Sequence, residues 1–187
     1  MTSLNSSSLR APFLCLTGFM GSGKSTVGVC LAELLGWTFA DLDSEIEKRE
    51  RRRISEIFSA DGEARFREIE AEVLLETLEN AITPAVVALG GGTFIQPPNR
   101  DVLHSHGAVT IYLEGEFDLL LSRCGVEEGT RPLMQDMTRF RKLFDERQPI
   151  YRLAQVVVQV AGRSPQELAA EIAENVANLR SRSAVPE

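Results

Sequence analysis

Five short runs of apolar, β-prone residues recur along the chain, and several of the stretches between them repeat their apolar positions at helical spacing. The runs are Phe13 to Thr17, Thr38 to Asp41, Ala85 to Leu89, Val109 to Leu113 and Gln155 to Val160, each of single-strand length. A helix is predicted from Val27 to Leu35, directly behind a glycine-rich turn. Asp43 to Arg52 is charged, Ser55 to Ala60 makes a short amphipathic turn or two, and Glu63 to Asn80 carries Phe66, Ile69, Val73, Leu74 and Leu78 on one face. Leu119 to Arg123, Asp136 to Gln148 and Pro165 to Leu179 complete the helices. Strands alternating with helices predict an α/β domain with a parallel sheet covered on both faces, and ligands in such folds bind beyond the carboxyl ends of the strands.

Composition narrows the class. At 187 residues and 43% hydrophobic the chain can bury one good core but not two, so a single domain is expected over 12–180, with a disordered tail over 1–11 and a second tail over 181–187. The polar start, Met1 to Ser8, lacks the apolar stretch of a secretion signal. A net charge of −7 argues against a nucleic-acid partner. No apolar run approaches the roughly 18 residues that span a membrane. Cys15, Cys30 and Cys124 are an odd number with no C-x-x-C spacing, so neither a disulfide framework nor a zinc site is indicated, which suits reduced thiols in the cytoplasm. His104 and His106 fall in a polar loop before Val109 and read as solvated. Without a heptad or an exposed apolar stripe, a monomer is expected.

Chemistry enters at Gly18-Phe19-Met20-Gly21-Ser22-Gly23-Lys24-Ser25, which fills every fixed position of the phosphate-binding pattern G-x-x-x-x-G-K-[ST]. The glycines let backbone N–H groups, backed by a helix N-terminus, point at a β-phosphate. Lys24 would bridge β- and γ-phosphates, Ser25 would ligate Mg²⁺, and Thr26 is a weaker candidate for the α-phosphate. The same loop gives Gly21, Ser22 and Gly23 as nucleotide-binding positions.

Further candidates lie at other strand ends. Asp41 and Asp43 share a face at the end of the second strand. Asp41 could hold magnesium through water, while Asp43 could accept the proton of an attacking hydroxyl, orient that hydroxyl, or simply cap the next helix. Gly90-Gly91-Gly92 follows the third strand, where many phosphate-loop proteins carry an acidic metal ligand, and lets a ligand approach the backbone closely. Arg67, three residues from Glu70 on a helix, and Arg147, ahead of Pro149 and Tyr151, could form two forks for a small carboxylate, with Glu70 holding Arg67 in one orientation. The stretch 123–135 reads as a mobile glycine-hinged lid delivering Arg131.

Taken in order, the phosphate loop, Asp41-Leu42-Asp43, Asp61-Gly62-Glu63 with Phe66-Arg67-x-x-Glu70, Gly90-Gly91-Gly92, Arg131-Pro132-Leu133 and Arg147-x-Pro149-x-Tyr151 resemble the shikimate kinase family from about residue 12 to 175. The resemblance implies a three-layer P-loop kinase fold like that of nucleoside monophosphate kinases, with a five-stranded parallel sheet. It also implies Mg-ATP as donor and the 3-hydroxyl of shikimate, in the pathway to chorismate, as acceptor. Lys24 and Arg131 would then contact the transferring phosphate, Ser25 the metal, and Asp41 the metal through water. Asp43, Arg67, Arg147 and the glycines Gly90, Gly91 and Gly92 would hold shikimate, Glu70 would orient Arg67, and Phe58 and Phe66 would wall the pocket. The adenine would lie between Arg123 and the Arg163-Ser164-Pro165 turn, which is variable in the family, as is the segment 124–130. Met134 departs from the usual Arg-Pro-Leu-Leu. A gluconate kinase would share the phosphate loop but has less use for two carboxylate-directed arginines and three glycines. A guanine-nucleotide switch would need an N-K-x-D motif, which does not occur.

Overall fold

The computed structural model describes residues 13–81, 84–124 and 137–183. Its elements, in chain order, are β1 (Phe13–Thr17), α1 (Lys24–Leu35), β2 (Thr38–Asp41), α2 (Leu42–Glu50), α3 (Ile54–Glu79), β3 (Ala85–Ala88), a short 3₁₀ turn (Thr93–Ile95), α4 (Pro97–Ser105), β4 (Val109–Glu114), α5 (Phe117–Cys124), α6 (Met137–Tyr151), β5 (Val156–Gln159) and α7 (Pro165–Ser183). All five predicted strands form, and they pair in parallel in the order β2-β3-β1-β4-β5. Every residue of β1 and β3 is buried, as expected of inner strands covered on both faces. Leu31 and Val27 of α1 and Ile172 and Val176 of α7 lie in the same core as Leu14 and Leu16 of β1.

Register does the positioning. Leu16 of β1 and Asp41 of β2 both pair with Ala88 of β3, so three neighbouring strands end at one level. The phosphate loop, the glycine triplet and the Asp41-Leu42-Asp43 turn therefore leave the sheet side by side, at the carboxyl edge where strand order reverses.

Three helical segments differ from the sequence expectation. The turn at Ser55 to Ala60 and the helix at Glu63 to Asn80 join into α3, which runs through a kink at Gly62 (φ 81°, ψ 173°). Only glycine adopts that backbone at low cost, so the kink is written in the sequence. Residues 97–105, read as loop, form α4: Pro97 and Pro98 supply its first turn, and Leu103 and Asn99 are its buried positions. Its opening Pro97-Pro98-Asn99 has the composition of a turn, which masks the helix that follows. His104 therefore stands exposed in the last turn of a helix, while His106 follows it in the turn beyond, an imidazole nitrogen 2.8 Å from the Val102 carbonyl. Helix α6 continues past Gln148 through Pro149 to Tyr151, so the proline removes one backbone donor from its last turn without ending it.

Replacing Gly62 with alanine adds no clash, since nothing lies within 4 Å of the new Cβ, and tests backbone strain alone. Gly62→Ala is expected to destabilise the protein by about 1–3 kcal/mol in urea unfolding.

Candidate active site

The phosphate loop closes over the end of β1 with Gly18, Gly21 and Gly23 at positive φ. Its helix, α1, starts at Gly23 with no side-chain cap, whereas Asp41 caps α2 and Ser164 with Glu167 caps α7. The first amides of α1 are thus left for an anion. Beside them the Ser22 hydroxyl is buried without a hydrogen-bond partner, a second sign that these groups fit a phosphate. Lys24 folds back over the loop, its Nζ donating to the carbonyls of Gly18 (3.0 Å) and Phe19 (3.3 Å). Burial lowers its pKa, and the carboxylates of Asp43 and Asp41 oppose that shift. Thr26 stands exposed on the first turn.

Asp41, not Asp43, is the helix cap. Its Oδ1 accepts from the backbone N–H groups of Asp43 (3.1 Å) and Ser44 (3.3 Å), while Oδ2 accepts from the Ser25 hydroxyl at 2.5 Å. One hydroxyl and one fixed carboxylate, adjacent and oxygen-only, suit Mg²⁺, which takes few protein ligands and keeps its waters. Relieved of capping, the Asp43 side chain turns to the cleft. Although the residue is exposed at the cleft, protein packed around its carboxyl and then the neighbouring Asp41 carboxylate push its pKa up to about 6, with Lys24 pulling the other way.

Around the glycine triplet lies a cleft of about 650 Å³ that brings together Asp43, Phe58, Phe66, Arg67, Glu70, Gly90, Gly91, Gly92 and Arg147. Two of the glycines leave room for the ends of neighbouring charged side chains. A Cβ on Gly90 would fall 2.6 Å from Asp43 Oδ1, and one on Gly92 would fall 2.4 Å from Arg67 Nη1. The Arg67 guanidinium is set by Glu70, whose Oε2 accepts from Nη1 at 2.8 Å, and by Glu63, whose Oε1 accepts from Nη2 at 3.2 Å. It also lies 5.1 Å from the Phe66 ring centre, and Phe66 and Phe58 are 4.4 Å apart. Arg147 Nη1 and the Tyr151 hydroxyl both donate to the Gly91 carbonyl, at 3.2 and 2.5 Å.

Several lining residues escaped sequence reading. Met20 occupies a variable position of the phosphate loop yet reaches the acceptor cleft, making the two sites contiguous; Ile54, Arg139 and Leu143 also line it. Phe19 of the loop packs on Phe140 and Phe144 of α6 at 5.1 and 5.3 Å, and both meet Phe117 of α5. This aromatic cluster ties the phosphate loop to the helix that carries Arg147, and no local pattern could have disclosed it.

The remaining nucleotide candidates are more scattered. Arg123 is exposed in the last turn of α5, next to Cys124, whose Sγ would lie 2.9 Å from a Cβ on Gly21. Arg163 pairs with Glu171 and reaches the Glu167 carbonyl, so its guanidinium is already engaged at the start of α7. Arg131, with most of the expected lid, lies outside the described residues.

Comparison with known proteins agrees with this geometry. A family profile for shikimate kinase matches residues 20–177. The shikimate kinase of Gloeobacter violaceus is 45% identical over 160 residues, covering 84% of this chain and 88% of that relative. That of Nostoc punctiforme is 38% identical over 178 residues, covering 93% and 96%. The solved structure of the Acinetobacter baumannii shikimate kinase in complex with shikimate superposes with a TM-score of 0.83 at 34% identity, covering 97% of this chain and all of that one. With the phosphate loop, the glycine triplet and the paired arginines in place, the chain belongs to the shikimate kinase family.

Proposed function

We propose that the protein transfers the γ-phosphoryl group of ATP to the 3-hydroxyl of shikimate, giving shikimate 3-phosphate and ADP. The observation that carries this reading is a juxtaposition: Asp43, Arg67 and Arg147 open on one cleft around Gly90 to Gly92, continuous through Met20 with the phosphate loop. That arrangement offers two guanidinium groups to a carboxylate and one carboxylate to a ring hydroxyl, which is the polarity of shikimate.

On the donor side, the amides from Gly21 to Thr26 and the Ser22 hydroxyl would cradle the phosphates. The Lys24 ammonium would turn from the loop carbonyls to the β- and γ-oxygens, with Arg131 beside it. Arg123 would flank the adenine; Arg163 would join it only by loosening its pairing with Glu171. Ser25 and Asp41 would hold Mg²⁺, which would neutralise charge on the phosphates. On the acceptor side, Arg67 and Arg147 would take the carboxylate, Asp43 and the glycine backbone the hydroxyls, and Phe58 with Phe66 the ring edge.

The step needs little covalent help. The shikimate oxygen forms its bond to the γ-phosphorus as the bond to the β-bridging oxygen breaks, the hydroxyl proton passes to an Asp43 oxygen, and ADP leaves. Positioning and charge neutralisation supply most of the acceleration. No disulfide joins Cys15, Cys30 and Cys124, which suits a reducing compartment such as the cytoplasm.

A coupled ADP-release assay tests the reading directly: release with Mg-ATP should require shikimate and be absent with gluconate or without acceptor. Asp43→Asn should lower turnover about a hundredfold or more while leaving the KM for ATP nearly unchanged; near-normal turnover would remove Asp43 from the chemistry. Because the base must be unprotonated and its pKa is pushed up to about 6, kcat/KM for shikimate should fall about tenfold per pH unit below that value, and this acid limb should vanish in Asp43→Asn. Arg67→Ala should raise the shikimate KM by roughly 10- to 100-fold, the cost of a lost charge-assisted pair, in steady-state kinetics.

A further inference from the structure

Glu70 is buried to 1% exposure, and its two oxygens have separate tasks. Oε2 accepts from Arg67 at 2.8 Å, and Oε1 accepts from the hydroxyl of Thr93 at 2.7 Å. Thr93 is itself wholly buried and does not line the acceptor cleft. It is pinned from behind: its N–H donates to the Gly90 carbonyl at 3.1 Å, and Asn99 Nδ2 donates to its carbonyl at 3.0 Å. Arg100 fixes the next two carbonyls, of Phe94 and Ile95, at 2.7 and 2.8 Å. The backbone around Thr93 is therefore fastened to α4, and its hydroxyl is a fixed donor aimed at a carboxylate.

What that donor controls is the plane of the Arg67 guanidinium. The Nε of Arg67 is buried without a hydrogen-bond partner, and its second ion pair is to Glu63, whose side chain is 68% exposed. A carboxylate terminus rotates broadly unless both oxygens are held. Freed of Thr93, Glu70 would carry one buried, unsatisfied oxygen and would rotate to share both with Arg67, drawing the fork off Gly92, where its two Nη atoms now fill the place a side chain would take.

We propose that Thr93 is a positioning residue for acceptor binding, acting on Arg67 through Glu70 and touching neither substrate. The proposal rests on the reading of Arg67 as a shikimate-carboxylate ligand. Thr93→Ala and Thr93→Ser both lose the methyl group and differ only in the hydroxyl, so their comparison isolates the hydrogen bond. Thr93→Ala is expected to raise the shikimate KM roughly tenfold, with kcat and the KM for ATP changed by less than about twofold, and Thr93→Ser to restore the KM. In an Arg67→Ala background, Thr93→Ala should add less than about twofold, since the residue it positions is gone. Equal KM values for the Ala and Ser variants, beside a raised KM in Arg67→Ala, would overturn the role of Thr93 and leave Arg67 in the site. A parallel loss of kcat and ATP affinity without rescue by serine would likewise overturn it, as a structural effect. A wild-type KM in Arg67→Ala would overturn both.

Discussion

A carboxylate taken out of water must be paired and hydrogen-bonded, or it does not stay ionised, and the Glu70–Arg67 pair is where this protein accepts that condition. Glu70 is almost fully buried and Arg67 is 19% exposed, so the guanidinium has one side in the protein and one toward the cleft. Removing one partner of such a pair typically costs about 3–5 kcal/mol, because the other charge is stranded. The surrounding structure reads as the set of concessions that pair demands: no side chain at Gly92, where the guanidinium lies; none at Gly90, where Asp43 and Glu70 converge; and a buried hydroxyl for the second oxygen of Glu70. Gly90 and Gly92 thus make room for a charge network, whatever they also offer a ligand.

The network also sets the electrostatics of its neighbours. Asp43 sits at the meeting point of the Asp41 and Glu70 carboxylates and the Lys24 ammonium, and burial with the like charges outweighs the single cation. A carboxyl group poised near neutrality can alternate between accepting and holding a proton within the physiological range, which an ordinary aspartate cannot do as readily. Strand register makes the meeting possible. Because β1, β2 and β3 end at one level, groups far apart in sequence come within a few ångströms without any long connecting loop.

Much of this was legible in the chain. The strands announced themselves as apolar runs and the phosphate loop as a spacing, whereas α3 read as two separate segments on either side of Gly62 and not as one kinked helix. Arg67 and Glu70 could be paired because helical spacing is local. Other features were beyond local reading. The charged turn could be recognised as a cap, but whether Asp41 or Asp43 does the capping depends on which carboxylate Ser25 meets across the sheet. Helix α4 opens on Pro97-Pro98-Asn99, a composition that reads as a turn. Met20, Thr93 and the cluster of Phe19, Phe117, Phe140 and Phe144 acquire their roles only when distant segments pack, and a residue that acts through another leaves no motif.

The central claim is that a guanidinium held by a buried carboxylate reads the acceptor's charge. The most direct measurement is the ratio of kcat/KM for shikimate and for its carboxamide, at saturating Mg-ATP. The account expects the carboxamide to be poorer by about 10²–10³, mostly through KM, since a neutral amide cannot accept the paired charge-assisted bonds. Equal values for the two acceptors would contradict it, because Arg67 and Arg147 would then be reading something other than a carboxylate.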